Sequence, residues 1–393
     1  MKEVYIVAAK RTPIGSFLGS LSQISAPVLG GYAVKAALQQ AHLAPEYVQE
    51  LLFGNVVSSN LGQAPASQVA YYGGLPDSVP CTHINKVCAS GMKAIMFGAQ
   101  SIMLGHKDIV MTGGMENMSL VPHYLPNGRT GMKYGNLQII DGINRDGLQD
   151  PFDNSLMGIC GELCASEYKI SKEDNDRYAI QSYQRAIEAT QKGYFQNEIA
   201  PVTISSKSGE LVINKDEEIE KVKFDKIPTL KPAFQKDGTI TAANSSKLSD
   251  GASAILLASG EAVKQHGLKP LAKILSFADA ALESKWFSIA PSKAMPKALQ
   301  LAGLTMNDMD AVEINEAFAT VVLVNQKIMN IPNEKINLLG GAISLGHPLG
   351  SSGSRIMATL LSALEVVNGK YGIIGICNGG GGASSIVIER MKN

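Results

Sequence analysis

The chain has 393 residues, 45% of them hydrophobic and 18% charged, which is enough to bury a sizeable core in two or three domains. Lys plus Arg (35) equal Asp plus Glu (35), which excludes the basic stripe of a nucleic-acid binder, so an anionic ligand must be held locally. No apolar run suits a bilayer span and the start MKEVYIVAAKRTPIGSF is not a leader, so the expectation is no membrane, a cytosolic location, or a mitochondrial one for a chain whose leader has been removed.

In chain order, EVYIVAAKR reads as a buried strand, LGGYAVKAALQQAHL as a helix with Leu29, Ala33, Ala36 and Ala37 on one side, and ELLFGNVVS as a strand. HINKVC leads into a helix on which Met92, Ile95, Met96, Ala99, Ile102 and Met103 recur at helical spacing, and IVMTGGMEN follows as a strand. Alternating strands and helices predict a layered α/β fold with a parallel-type sheet. From LAKILSFADAA onward the order repeats: PSKAMPKALQLAGL as helix, MDAVEIN as strand, EAFATVVLVNQKIMNI as helix, then GGAISLGHPLGSSGSRIMATLL and the glycine-broken strand pair IIGICNGGGGASSIVIER. The chain therefore reads as a duplication, with halves at 1–118 and 249–393 and an inserted domain at 119–248. In the insert, the charged run KDEEIEKVKFDK predicts a solvated face for Asp216, Glu217 and Glu218.

Five cysteines and no secretory pattern predict reduced thiols. Cys160 and Cys164 in CGELC lack a second ligand pair at zinc-like spacing and are expected to pack one helix face. Cys88 stands where a strand enters a helix, beside Ala89, Ser90 and Gly91. It reads either as a buried structural cysteine or as a nucleophile whose thiolate the helix N-terminus favours. His347, in LGHPLGSSG at the position equivalent to Cys88, reads as a base or oxyanion donor, against a structural role. Cys377 precedes the run Gly379 to Gly382, which is either an anion-holding nest or a hairpin turn. Asn315 reads as a helix N-cap or as an amide that orients a water toward an oxyanion.

Taken together, NKVCASGMKA, GGMENMS, TAANSSKLSDGASA, INEAFA, GGAISLGHPLGSSGSRI and CNGGGGAS resemble, in order and spacing, the motifs of the thiolase family over essentially the whole chain, and are most similar to its short-chain branch. The resemblance implies a five-layered α-β-α-β-α fold from two βαβαβαββ halves, with a loop domain over the active site. It implies reversible joining of two acetyl-CoA units by a ping-pong route, with coenzyme A as substrate and product and no cofactor required. By motif, Cys88 is the acylated nucleophile, His347 its activator and Cys377 the acid/base. Asn315 with His347 makes one oxyanion hole, and the amides of Cys88 and Gly379 the other. Lys221, Lys226 and Ser246 match family contacts to CoA, Met157 and Phe318 the pantetheine walls, and Ala242 lies in the same loop. Tyr183, Ala242, Ala243, Ser245 and Ile343 match a potassium site of mitochondrial-type members. The family also implies a homotetramer built as a dimer of dimers.

The chain departs from the pattern at Leu156, where His is usual before Met157, at Ser288 after Phe287, and at Leu339 before GGA. Longer 3-ketoacyl chains or a 2-methyl branch are therefore the alternative substrates. An HMG-type condensing enzyme would need a second His or Glu in place of Cys377. A silent acyl-CoA-binding protein would not need all four chemical groups.

Overall fold

The computed structural model describes residues 1–131, 133–206 and 209–392. The first half runs through β1 (Val4–Arg11), β2 (Gly15–Ser16), α1 (Ala26–Ala41), β3 (Glu50–Gly54), α2 (Pro65–Gly73), β4 (Cys81–Ile84), α3 (Ser90–Met103) and β5 (Ile109–Asn117). The insert carries β6 (His123–Tyr124), β7 (Ile140–Asp141), α4 (Met157–Tyr168), α5 (Lys172–Gln191), β8 (Val202–Ser206) and β9 (Gly209–Ile213). After it come β10 (Ser249–Ser259) and α6 (Gly260–His266). The chain continues through β11 (Ala272–Ala281), α7 (Pro291–Ala302), β12 (Ala311–Ile314), α8 (Ala319–Met329), α9 (Ala342–Leu345), α10 (Leu349–Val366), β13 (Tyr371–Asn378) and β14 (Gly382–Arg390).

Local chemistry sets the helix ends. Helix α5 opens on a capping box in which Ser171 and Asp174 satisfy each other's amides. Helix α7 starts on Pro291 and stops at Gly303, whose φ of 67° is left-handed. The helix expected from Glu316 begins three residues later, at Ala319. Glu316 is instead drawn inward, accepting bonds from Tyr178, Ser182, Asn337 and the amide of Ile343.

The duplication is visible in strand pairing. In the first half, β1 pairs antiparallel with β10, β10 antiparallel with β5, β5 parallel with β3, and β3 parallel with β4. In the second half, β11 pairs antiparallel with β14, β14 antiparallel with β13, and β13 parallel with β12; a parallel bridge from Val312 to Ile336 stands where β4 stands in the first. The two halves join into one ten-stranded sheet through the pairs Tyr5↔Lys273 and Ile6↔Ala272 of β1 and β11. The strand that directly follows the insert, β10, returns to the first half of the sheet, so the second half's own first strand is β11.

Helices α3 and α10 pack on each other between the two halves of the sheet, α1 covers the first half's outer face, and α7 covers the second's, which gives five layers. Strands β5 and β10 are buried along their whole length because both faces are covered. In α10 every residue from Leu349 to Leu360 is buried, which explains its small side chains. A Cβ on Gly353 would come within 2.3 Å of the Met92 amide nitrogen of α3, and one on Gly114 of β5 within 2.0 Å of the Gly350 carbonyl.

The insert is tied down by charge. Arg11, fully buried on β1, donates to Glu198 at 2.5 Å and to both oxygens of Asp216 at 2.6 and 2.9 Å. This corrects the solvated reading of Asp216: it is 4% exposed, because Arg11 needs a second carboxylate inside the fold. Cys160 and Cys164 are buried on α4, with Cys160 in an apolar cluster that includes Ile240, Phe287 and Phe318. Among the described residues no helix is long and apolar enough to cross a membrane.

Candidate active site

Cys88 follows a strained turn. Val87 adopts a φ of 48°, a left-handed conformation that a β-branched residue occupies only at a cost of about 1–3 kcal/mol. Ser90 holds the turn, accepting the Lys86 amide at 2.8 Å and donating to the Val87 carbonyl at 2.6 Å, while Asn85 accepts the Val87 amide at 3.0 Å. The sulfur is thereby presented ahead of the first turn of α3, where the backbone amides of Gly379 and of Cys88 itself act to lower its pKa. Burial nonetheless pushes the thiol up to about 12, with the Glu116 carboxylate adding to the rise. Loss of hydration thus opposes the amides and the helix end, which favour the thiolate.

His347 lies between α9 and α10. Gly346 before it has a φ of 113°, and a Cβ there would approach Ser249 Oγ to 2.4 Å. The His347 amide donates to the Lys247 carbonyl at 3.1 Å and to Ser249 Oγ at 3.2 Å, which fixes the backbone. Its Nδ1 is 2.6 Å from Ser352 Oγ, and that hydroxyl gives its one proton to the Pro348 carbonyl at 3.0 Å. That arrangement suits Nδ1–H donating to Ser352, with the lone pair then on Nε2. Asn315 Nδ2 lies 3.4 Å from Nε2, and Asn315 Oδ1 is buried without a partner among the described residues. Burial, aided by the positive charge of Arg355, pushes the imidazole down to about 3, so it stands neutral. Asn315 does not cap α8, whose N-cap is Phe318.

Cys377 is the penultimate residue of β13 and 1% exposed. Burial, and next the charge of Cys88, push its thiol well up. The glycine run is a hairpin turn: Asn378 pairs with Gly382, and Gly380 and Gly381 take φ of 82° and 83°. Its first glycine, Gly379, faces the turn before Cys88: a Cβ there would lie 3.5 Å from Val87 Cγ1.

Beside these groups lies an apolar cavity of about 220 Å³, lined by His347, Leu349, Met118, Leu148, Leu156, Met157, Phe234, Ser245, Ser246, Lys247, Leu248 and Phe318. Phe318 is flanked edge-on by Phe234 and Phe287, at ring-centre distances of 5.9 and 6.5 Å. Larger hollows near Ala9 and near Phe195 meet neither cysteine nor His347. Met157, Phe318 and Ser246 thus meet at the cavity, together with the departure at Leu156. Leu339 is buried in the main core away from the cavity wall, and Ser288 is buried with its carbonyl bound to Asn325.

Lys221 is not on the wall: its ammonium contacts Ser16 at 2.5 Å, Glu217 at 3.1 Å and Glu218 at 3.6 Å. Lys226 is exposed on a short 3₁₀ turn, Phe224–Thr229. Ala242 is exposed and Ala243 half-buried in the loop before Ser245, Tyr183 is buried on α5, and Ile343 is buried on α9, which packs against α5. Sequence reading missed Val87, Ser90, Ser352, Glu116 and Lys247. Of these only Ser352, five residues after His347 in a helix, left a spacing signal.

Two family profiles match: "Thiolase, N-terminal domain" over residues 4–261 and "Thiolase, C-terminal domain" over 268–390. Acetyl-CoA acetyltransferase 2 of Arabidopsis thaliana is 52% identical over 393 residues, covering 99% of this chain and 98% of that protein. A cytosolic acetyl-CoA acetyltransferase of Gibberella zeae is 49% identical over 391 residues, covering 99% and 98%. Among solved structures, the Acat5 thiolase from Ascaris suum in complex with coenzyme A superposes with a TM-score of 0.94 at 43% identity, covering 99% of this chain and 100% of that one. Human mitochondrial 3-ketoacyl-CoA thiolase gives 0.96 at 39% identity, covering 99% of each.

Proposed function

This chain belongs to the thiolase family, and from that premise we propose that it is an acetyl-CoA acetyltransferase, joining two acetyl-CoA into acetoacetyl-CoA and free CoA and running the reverse cleavage. The observation that supports the site assignment is His347 on the wall of the apolar cavity, with Asn315 Nδ2 at 3.4 Å from its Nε2.

The proposed steps begin with both thiols protonated and His347 neutral. His347 Nε2 takes the Cys88 proton as the sulfur bonds to the acetyl carbonyl, and the amides of Cys88 and Gly379 receive the oxyanion. The C–S bond to CoA breaks, and Cys377 gives its proton to the departing CoA sulfur. The Cys377 thiolate then removes the α-proton of a second acetyl-CoA. The enolate oxygen is stabilised by the protonated Nε2 of His347 and by a water on Asn315, whose free Oδ1 supports that role. The carbanion attacks the acetyl group on Cys88, and the released sulfur recovers its proton from His347. Removing one donor from such a hole raises a barrier by about 2.7–4 kcal/mol.

CoA is assigned to the cavity against Met157, Phe318 and Ser246, with Lys226 and Lys221 the cations proposed for its phosphates. Phe318 on the cavity wall, with Phe234 and Phe287 edge-on against it, supports an acetyl group over a long acyl chain. The proposed division is a first half of 1–118 rejoined by β10, a covering domain at 119–248, and a second half from β11 onward. A dimer of dimers is supported by the open edge of β4 and by Phe97, 42% exposed on adjacent α3; the cytosolic location rests on likeness to the Gibberella protein.

Intact-mass spectrometry after mixing with acetyl-CoA tests the roles. Cys88→Ala should take no acetyl group, and Cys377→Ala should take it on yet form no acetoacetyl-CoA. Normal condensation by Cys377→Ala refutes the second assignment. Cleavage rates on acetoacetyl-CoA, 2-methylacetoacetyl-CoA and longer 3-ketoacyl-CoAs test the chain length; a faster rate on a long chain refutes the acetyl preference.

A further inference from the structure

The loop that resemblance links to potassium does not fit a metal ion in this chain. Two of its carbonyls are already engaged: Lys247 Nζ donates to the carbonyl of Ala242 and, at 3.1 Å, to that of Ser245. The same ammonium stands 6.0 Å above the ring of Tyr183. We propose that the Lys247 ammonium is a built-in cation filling the seat formed by the Ala242 and Ser245 carbonyls over Tyr183, so that this protein needs no potassium.

The chemistry of the seat supports a cation of either kind. Backbone carbonyls are hard oxygen donors suited to alkali ions, and an ammonium is a compact point charge with three donors that satisfies the same oxygens. Only one can be there, because a second positive charge on shared oxygens would be repelled at contact distance. The tethered one is always at hand and gives up no translational freedom on entering. The loop is rigid enough to hold it: Thr241 N bonds Asn244 Oδ1 at 2.8 Å, Asn244 Nδ2 bonds Asp176 at 2.8 Å, and Ser245 Oγ bonds the Thr241 carbonyl at 2.8 Å. The adjacent residues Ser246 and Leu248 line the cavity, so the cation fixes a wall of the site. The seat is defined by backbone and stands whether or not the acetyl-transfer reading holds, so its test reads binding and stability as well as rate.

The test compares the wild-type protein and Lys247→Gly in choline chloride and in potassium chloride at equal ionic strength. The thermal midpoint, the acetoacetyl-CoA cleavage rate and the anomalous signal of rubidium-soaked crystals are recorded. The wild type should show the same midpoint and rate in both salts and no rubidium at the Ala242 and Ser245 carbonyls. Lys247→Gly should gain a rubidium peak there and a severalfold rate increase specific to potassium. A rubidium peak on those carbonyls in the wild type, or a potassium-specific rate increase of severalfold, overturns the proposal. So does a folded Lys247→Gly indifferent to the salt. Should Lys247→Gly fail to fold, the wild-type comparison decides alone.

Discussion

Glu116 Oε2 accepts the amide of Gly350 at 2.9 Å, a bond that crosses from the end of β5 in the first half to the first turn of α10 in the second. The same carboxylate accepts the amides of Val56 at 2.9 Å and Val57 at 3.1 Å and the side chain of Asn55 at 2.6 Å. Glu116 therefore fastens the turn that carries His347 to the sheet beneath Cys88.

Glu116→Ala should leave four buried donors unmatched, costing at least about 2 kcal/mol of stability. Urea unfolding midpoints measure the loss, and kcat should fall with it because Gly350 lies three residues from His347. Burial raises the carboxyl from its ordinary value to about 7. A group raised on folding contributes stability at low pH that is lost as pH climbs. The wild type's margin over Glu116→Ala should shrink between about pH 4.5 and pH 7.

Ser352→Ala should free the imidazole to place its proton on either nitrogen. The expected loss is about 10²-fold in kcat, with only about 1 kcal/mol of stability lost for one hydrogen bond. Kinetics with acetoacetyl-CoA alongside thermal melts check it; an unchanged kcat would show that Ser352 does not set the tautomer.

Alkylation of Cys88 by iodoacetamide should keep accelerating as pH rises through 9, because burial holds the thiol near 12 and little thiolate exists at neutrality. A plateau reached below pH 8 would reveal a pre-formed thiolate. His347 does not prevent this rise: with its proton affinity pushed down to about 3, it stays neutral over that whole range.

Asp216→Ala should strip Arg11 of its bidentate partner while leaving Glu198 at 2.5 Å. Breaking a buried pair costs about 3–5 kcal/mol, read as a lower urea midpoint. Because Asp216 also accepts the Ile14 amide at 2.8 Å, the loss should reach the loop after β1.

Much of this was open to reading in the chain itself. Cys88, His347 and Cys377 stand out beside glycines as candidates, and the repeated strand-helix order foretells the duplication. The parallel-type sheet it suggests is instead mixed, because β1, β10 and β5, like β11, β14 and β13, pair antiparallel in turn. What stayed hidden depends on who meets whom. The left-handed turn at Val87 has no signature in a valine. Glu116 reads as one more acid until Gly350 arrives from the other half, and Asp216 looks solvated until Arg11 is seen to need it. The direction in which Cys88 is shifted was hidden for the same reason: a helix start is local, whereas dehydration of the sulfur is set by the whole fold. Lys247 would pass for a surface lysine in any sequence window.

The glycine-to-backbone contact between α3 and α10 sets Gly353 against the Met92 amide with no room for even a methyl group, so the two helices fit in one register. Each molecule either has the pair docked, with thiols and imidazole in place, or has no working centre at all. During recovery from denaturant, turnover should thus return later than helical signal, and a half-recovered sample should behave as a smaller number of full-speed catalysts rather than a population of sluggish ones.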